Sequence, residues 1–423
     1  MQPSSSRTYH DPLHGAITLE ANDPAEALLI GLIDTPPFQR LRRIRQLGIA
    51  HLTFHGAEGS RFTHSLGVME VARRIFDRLI RRYPALKPHR ALVLCGALLH
   101  DIGHGPLSHT SEDLFGGSHE YWTRRILREH PAIRQRLDNY SPNLAAELEQ
   151  VYLKQYPLPC MSQLVSSQLD CDRLDYLMRD SYFTGASYGK LDLDRILMAF
   201  DYDSVSQQLV VAQKGLAAIE HYLVVRYFMY AQVYNHAKNL AATWGLQRII
   251  ERAKQQLTNG NLEADDTMAA WLTQPITELS LDHYLAADDG VLLYHLQRWR
   301  RSNDSTLSDL CRRHLDRDLL KALDISELKA GQQQKALRLV QHLLTERGLS
   351  QDYSGIQVAL TRGYTLYQRG INVKTEQGLQ DISELSPLVQ TLSQPFQKAW
   401  LIYPRAIEPD LLRSQANSYT LPR

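Results

Sequence analysis

The sequence predicts a mainly α fold, a helical bundle with a smaller α+β C-terminal lobe and short β-hairpins. Apolar residues recur at helical spacing through the first two-thirds of the chain, and extended runs are few and short. A composition of 43% hydrophobic and 22% charged residues over 423 positions is that of a chain with a large core. The first clear stripe is Val68, Ala72, Ile75 and Leu79, following His64. A second, Leu92, Cys95, Leu98 and Leu99, leads into His100. Pro84 and Pro88 separate these two helices. Gly103, Gly105 and Pro106 stop the second one and force an irregular loop that carries His104 and His109. A third, acidic helix is expected from Leu169 to Asp180, with Asp172, Tyr176 and Asp180 on one face and Leu174, Leu177 and Met178 on another. Extended segments are expected at Ala16-Ile17-Thr18-Leu19, Gln208-Leu209-Val210-Val211, Ile356-Gln357-Val358-Ala359-Leu360 and Trp400-Leu401-Ile402-Tyr403, as small hairpins and not a central sheet. A charge-rich helical stretch over 247–349 passes into that mixed tail, so a soft boundary near Gly245 divides the chain into 1–245 and 246–423.

With 47 basic and 46 acidic residues the formal net charge is +1, so no bulk field argues for nucleic acid or an anionic membrane, and any anion site must be local. The longest apolar run, Ala91 to Leu99, is too short to cross a bilayer, and MQPSSSRTYHDPLHG has no cationic lead into an apolar stretch. A cytoplasmic protein with no membrane partner is expected. Cys95, Cys160, Cys171 and Cys311 show no paired spacing and read as free thiols.

His100-Asp101 is the most informative pair. An imidazole and a carboxylate side by side at the end of an apolar helix are costly unless something binds there. Alone, His64 is more often a core or helix-end histidine, and acids at helical spacing are more often a solvated face. Together, His64, His100, Asp101 and Asp172 are two imidazoles and two carboxylates able to hold one divalent metal and leave positions for water and a phosphate oxygen. That donor set does not distinguish Mn, Fe, Mg, Zn, Ni and Co.

The ordered pattern His64, His100-Asp101, Asp172 resembles the HD superfamily of metal-dependent phosphohydrolases. RFTHSLGV, LLHDIGHGPLSH, SHEYWT, DCDRLDYLMRDS and VVRYFMYAQVYNHAK resemble its deoxynucleoside triphosphate triphosphohydrolase branch, which includes the human SAM- and HD-domain restriction factor. Tyr9-His10-Asp11-Pro12-Leu13-His14-Gly15, IDTPPFQRLRRIRQLG and LSDLCRRHLDRDLLKAL extend the likeness along most of the chain. The glutamate-aspartate pair that follows HD in alarmone hydrolases does not stand in the Ile102-Gly103-His104-Gly105 run here, and the GYP signature of cyclic dinucleotide phosphodiesterases is absent from the sequence.

The resemblance implies an HD-domain helical bundle as the catalytic domain in 1–245, and hydrolysis of a deoxynucleoside triphosphate to deoxynucleoside and triphosphate. It implies metal ligation by His64, His100, Asp101 and Asp172, with additional Mg accompanying the nucleotide phosphates. The departing 5′ oxygen is a poor leaving group, so a positioned imidazolium should protonate it. His109 matches that general acid, Glu112 its acidic partner, and His104 and His119 the other active-site histidines. Arg61, Arg173 and Arg226 match phosphate or pocket positions, Gln46 and Leu47 flank the sugar, and Tyr176 and Asp180 contact it. Asp180 would accept the 3′ hydroxyl and Tyr234 would crowd the 2′ position, rejecting ribose. Relatives in this branch form homo-oligomers, commonly tetramers, and some are activated by nucleotides bound between subunits. Asp34, Gln39, Arg42, Lys214, Arg317 and Lys321 match those effector clefts, although Ala212 stands where the best-known regulated relative has a basic residue. By themselves these six read equally as surface charges. Two alternatives stand beside this one: hydrolysis of another nucleotide or a phosphomonoester, since a metal site specifies chemistry better than substrate, and a nucleotide-sensing or nucleic-acid-binding scaffold without turnover.

Overall fold

The computed structural model describes residues 6–361, 364, 370–394 and 396–408. The chain enters through an antiparallel hairpin, β1 (Ser6–Asp11) and β2 (Gly15–Glu20), in which Gly15 supplies the left-handed turn conformation at φ 74. Helix α1 (Arg61–Arg82) is capped by the Ser60 side chain, which accepts from the Thr63 N–H. It buries the whole expected stripe of Val68, Ala72, Ile75 and Leu79. A proline-bounded 3-10 turn, Pro84–His89, reverses the chain into α2 (Arg90–Leu99), in which every residue after Arg90 is buried.

After the glycine-rich loop come two short helices, α3 (His109–Phe115) and α4 (His119–Glu129). The acidic helix is α5 (Cys171–Thr184), capped by Asp170 and ended by Gly185 in the left-handed region at φ 74. It lies against α1 with Leu174 and Leu177 in the core. Helix α6 (Leu216–Met229) leads into one π-helical turn, Tyr230–Tyr234, a geometry often found at functional sites. Helix α7 (Ala237–Thr258) follows, and further on α8 (Asp289–Trp299).

The remaining strands are β3 (Phe200–Asp203), β4 (Gln208–Ala212), β5 (Lys321–Asp324), β6 (Gly355–Thr361), β7 (Asn372–Thr375), β8 (Gly378–Asp381) and β9 (Phe396–Tyr403). The expected hairpins are present as β1–β2 and β3–β4. A further hairpin, β7–β8, joins β3–β4 through a parallel β4–β7 pairing in the order β3-β4-β7-β8, and the expected segments at 356–360 and 400–403 meet as antiparallel neighbours, with β9 running between β5 and β6. Strands β5, β7 and β8 are four residues each, too short and polar for a period-two pattern to announce them, and β5 interrupts the stretch read as helical.

Two apolar clusters fill the molecule. One gathers around α1, α2, α5 and α6 and reaches as far as Val373 and Val389. The other centres on α7 and collects Trp271, Trp299, Leu310, Val340 and Leu401, together with Ile49, Leu107 and Trp122 from the first half. Gly245, near which the boundary was placed, lies inside the continuous helix α7. Among the described residues no helix is long and apolar enough to cross a membrane.

Candidate metal centre and its pocket

The first turn of α1 carries His64, the end of α2 carries His100 and Asp101, and the first turn of α5 carries Asp172. Packing brings the four together. His64 Nε2 stands 3.1 Å from Asp172 Oδ1 and 3.5 Å from Asp101 Oδ2, while His100 Nε2 stands 3.3 Å from Asp101 Oδ1 and 3.6 Å from Asp172 Oδ1. His100 Nδ1 donates to the Ala97 carbonyl at 2.8 Å, which leaves Nε2 as the lone-pair nitrogen, buried and without a hydrogen-bond partner among the described residues. An orphaned imidazole nitrogen facing two carboxylates fits a divalent cation. The electrostatics agree. Burial opposes a charge on His64, yet hydrogen bonds to Asp172 and Asp175 overcome it and push the pKa up to about 9. Asp101, despite burial, is held well below the usual carboxylate range by Arg61 and its neighbouring histidines. The two carboxylates thus favour positive charge on the groups beside them, a charge that a bound metal would supply in place of the His64 proton.

Behind the cluster lies a layer that the sequence reading did not single out. Asp175 accepts from His64 Nδ1 at 2.7 Å, His14 Nε2 at 2.6 Å, and Arg179 Nε and Nη2 at 2.7 and 2.9 Å. Arg179 also donates to Asp11 at 2.9 Å. All of this is buried, and it fixes the His64 ring with Nε2 inward. The i,i+4 spacing of Asp175 and Arg179 within the acidic helix was the available signal. A Cβ at Gly67 would stand 2.0 Å from Asp175 Oδ1 and 2.4 Å from Arg179 Nη2. Gly67→Ala is therefore expected to destabilise by about 1–3 kcal/mol through overpacking and to weaken metal retention, read by thermal melting and metal analysis.

His104, His109 and His119 form a second cluster. His104 stacks on His119 at 3.9 Å between ring centroids and 13° between planes, and His109 meets both edge-on. Glu112 was expected as the partner of His109. It lies 2.5 Å from His119 Nδ1 and 3.7 Å from His109 Nδ1, so it serves both rings and holds His119 more closely. Burial works to raise the Glu112 pKa, but the two histidines hold it far below the ordinary value. His104 is fully buried, and burial with Arg61 and His119 nearby keeps its ring neutral. Ligand atoms of His104, His109, Glu112 and His119 lie within 4.8 Å of one another. Parallel stacking prevents the His104 and His119 rings from aiming their edges at a common ion, so the arrangement suits proton handling better than ligation.

A cavity of about 550 Å³ lies over both clusters, a size suited to a nucleotide. It is lined by His100, Asp101, Asp172, His109 and His119 and, away from them, by Gln46, Leu47, Arg61, Arg173, Tyr176, Asp180 and Tyr234. Arg61 is buried, bonded to Asp101 and, at 2.8 Å, to the Ser108 hydroxyl. Arg173 Nη1 holds Asp170 at 2.5 Å while its buried Nε has no partner among the described residues. Arg226 is not among the lining residues. It bonds Gln168 at 3.0 Å behind the wall. His64, His104 and Glu112 likewise stand behind the lining. Tyr234, in the π turn, donates to Asp180 at 2.9 Å. Burial pushes the Asp180 carboxyl up to about 7 in spite of that bond.

The six residues matched to effector clefts are dispersed. Asp34 pairs with Arg7 at 2.5 Å, Gln39 accepts from Arg42 at 2.8 Å, and the Arg42 guanidinium lies 3.6 Å over the Phe62 ring. Arg317 donates to the Leu52 carbonyl, Lys321 opens β5 and Lys214 follows β4, all three exposed. None of the six lines the cavity.

Residues 61–151 match the HD domain and residues 191–404 the HD-associated region. The chain is 37% identical over 402 residues to the uncharacterized protein YwfO of Bacillus subtilis, covering 92% of this chain and 90% of that one. It is 31% identical over 228 residues to the deoxynucleoside triphosphate triphosphohydrolase SAMHD1 of Danio rerio, covering 45% of this chain and 36% of that protein. In structure it is similar to a phosphohydrolase from Bacteroides thetaiotaomicron, with a TM-score of 0.83 at 28% identity, covering 95% of this chain and 100% of the other.

Proposed function

The chain belongs to the HD-domain family that carries an HD-associated region, and on that footing we propose that it hydrolyses deoxynucleoside triphosphates to deoxynucleoside and triphosphate. The observation that carries the reading is the junction of two features in one cavity: an N2O2 donor set with an orphaned imidazole nitrogen, and, away from it, the Tyr234–Asp180 pair. His64, His100, Asp101 and Asp172 would hold one divalent metal. Such a metal, when bound, polarises a phosphoryl oxygen and lowers the pKa of water. The chain's own groups do the rest. Arg61 and Arg173 meet the phosphate charge, Arg61 already held to the cluster through Asp101. His109, whose side chain is 68% exposed at the cavity, reaches toward the departing 5′ oxygen and donates its proton. His119, with Glu112 behind it, supports that transfer, and neutral His104 backs the stack. Tyr176, Gln46 and Leu47 enclose the sugar, Asp180 accepts its 3′ hydroxyl, and Tyr234 occupies the space a 2′ hydroxyl would need. The same reading makes the protein a cytoplasmic homo-oligomer, with Asp34, Gln39, Arg42, Lys214, Arg317 and Lys321 offered to a nucleotide effector between subunits.

Chromatographic product analysis across all four deoxynucleoside triphosphates, with Mn²⁺, Mg²⁺ or Fe²⁺ and mixed nucleotides present, tests this. Deoxynucleoside plus triphosphate is expected. Monophosphate plus pyrophosphate would overturn the assigned bond, and turnover confined to ribonucleotides or phosphomonoesters would overturn the substrate.

The raised Asp180 pKa gives a separate expectation with opposite signs for activity and stability. An ionised carboxylate is the better acceptor for the 3′ hydroxyl, so kcat/KM should rise with pH through about 7. The unfolded carboxyl titrates near about 4, so between about 4 and about 7 the native state binds more protons than the unfolded one. Stability from this group is therefore lost as pH rises through that window. Melting temperatures of the parent and Asp180→Asn at about pH 5 and about pH 8 should converge at low pH and diverge at high pH, with the variant the more stable.

A further inference from the structure

We infer that the C-terminal half clamps the loop after His100-Asp101, with Asp289 and Tyr284 as positioning residues for the histidines that the loop carries; its catalytic consequence rests on the hydrolase reading above. The loop between α2 and α3 is bent in a way its own residues do not favour. Leu107 at φ 61 and Ser108 at φ 59 occupy the left-handed region without being glycine, immediately before His109. Such backbone persists only where surrounding groups over-determine it, and here many of those groups come from a segment far along the chain.

Three main-chain groups of the loop are tied in order to one short stretch. The Tyr284 hydroxyl donates to the Gly103 carbonyl at 2.6 Å. Arg40 bridges the next pair, with Nη1 donating to the His104 carbonyl at 2.7 Å and Nε and Nη2 to the Ala287 carbonyl at 3.0 and 2.6 Å. Asp289, the first residue of α8 and buried, accepts the Leu107 N–H at 2.7 Å on Oδ1 and the Arg45 N–H at 3.0 Å on Oδ2. The Tyr284 ring is itself fixed, stacked on Trp122 at 3.6 Å and on Trp271 at 5.0 Å. The loop has no room to retreat. A Cβ at Gly105 would meet Trp271 at 2.9 Å, and one at Gly48 would meet the Leu107 carbonyl oxygen at 2.5 Å. Ser108 completes the connection, donating to the Arg45 carbonyl and accepting from Arg61, so the clamp reaches the metal cluster through Arg61 and Asp101. Asp289 touches neither the metal ligands nor the cavity. Its effect passes through the backbone that aims His104 and His109.

The test uses the full chain with Asp289→Ala, Asp289→Asn and Tyr284→Phe. Asparagine can accept one of the two N–H groups but presents an amide to the other, and Tyr284→Phe removes one bond while keeping the ring stack. Hydrogen–deuterium exchange is expected to quicken across 103–110 in both Asp289 variants and to stay at the parent rate in α1. Metal content should remain that of the parent. Turnover should fall about 10- to 100-fold in kcat, with KM within about twofold, because a displacement of about 1 Å in a reacting group costs rate more than binding. Tyr284→Phe should show the same pattern, smaller. Parent-like exchange at 103–110 in Asp289→Asn, or a loss of activity that tracks metal loss or KM alone, would overturn the clamp. Should Asp289→Ala fail to fold, Asp289→Asn and Tyr284→Phe decide the matter. A parent protein that turns over no deoxynucleotide defeats the hydrolase reading, while the exchange result still judges the clamp.

Discussion

His100→Ala should yield a folded protein that retains no metal at the centre and loses deoxynucleotide hydrolysis by roughly 10³-fold or more. The residue stands just past the end of α2, its Nδ1 bond to Ala97 is local, and truncation opens only a small space beside the cavity. What it removes is a buried ring nitrogen turned toward Asp101 and Asp172, without a hydrogen-bond partner among the described residues. Without it, His64 is the remaining imidazole of the ligand set beside Asp101 and Asp172. A catalytic metal supplies several kcal/mol of charge stabilisation, and about 4 kcal/mol corresponds to roughly 10³ in rate. Metal analysis, circular dichroism and turnover on one preparation check all three parts. A variant that keeps its full metal complement would remove His100 from the ligand set.

Asp175→Ala should produce the largest loss of stability of any single change at the site, about 3–5 kcal/mol, because it leaves the Arg179 guanidinium buried with Asp11 as its remaining carboxylate. It should also weaken metal binding about 10- to 100-fold, since His64 loses the acceptor that orients its ring. The two effects separate in a double variant. Adding Arg179→Met removes the stranded cation and should restore much of the melting temperature, while metal affinity stays low because His64 remains unsupported. Equal recovery of both would mean that Asp175 acts on the metal only through folding. The pH dependence has a definite sign. Although burial favours its neutral form, Arg179 and the histidines hold Asp175 well below the usual carboxylate range. Its contribution is present above about pH 4, where the unfolded carboxyl is ionised, and is lost as the solution becomes more acid.

The candidate site was legible in the sequence where chemistry had left a local mark. His100-Asp101 against an apolar helix is conspicuous because it contradicts its surroundings, and His64 and Asp172 gain meaning from it. The helices followed from period, since the expected apolar stripes of α1 and α5 are buried. What stayed hidden has no local mark. Nothing near Asp289 in the chain shows that its carboxylate closes on Leu107 and Arg45, because that contact is made by tertiary packing. Glu112 carries no local mark of its second partner, His119, for a related reason. One helical turn separates it from His109, but α4 brings His119 closer. Strand β7 was missed because a four-residue segment acquires its identity from β4 beside it, not from its own pattern.

That parallel pairing of Val211 with Val373 bears on how the molecule is made. The helical bundle of the first half emerges from the ribosome long before the strand that completes its own sheet is synthesised, and domains tend to fold from the emerging end. During that interval one side of β4 offers unsatisfied main-chain groups beside a buried apolar surface, the kind of edge on which nascent chains associate. The β4 edge thus stays without its β7 partner until nearly the whole described chain is available, and the speed of translation between the two strands sets how long it is exposed to chaperones and to its own copies.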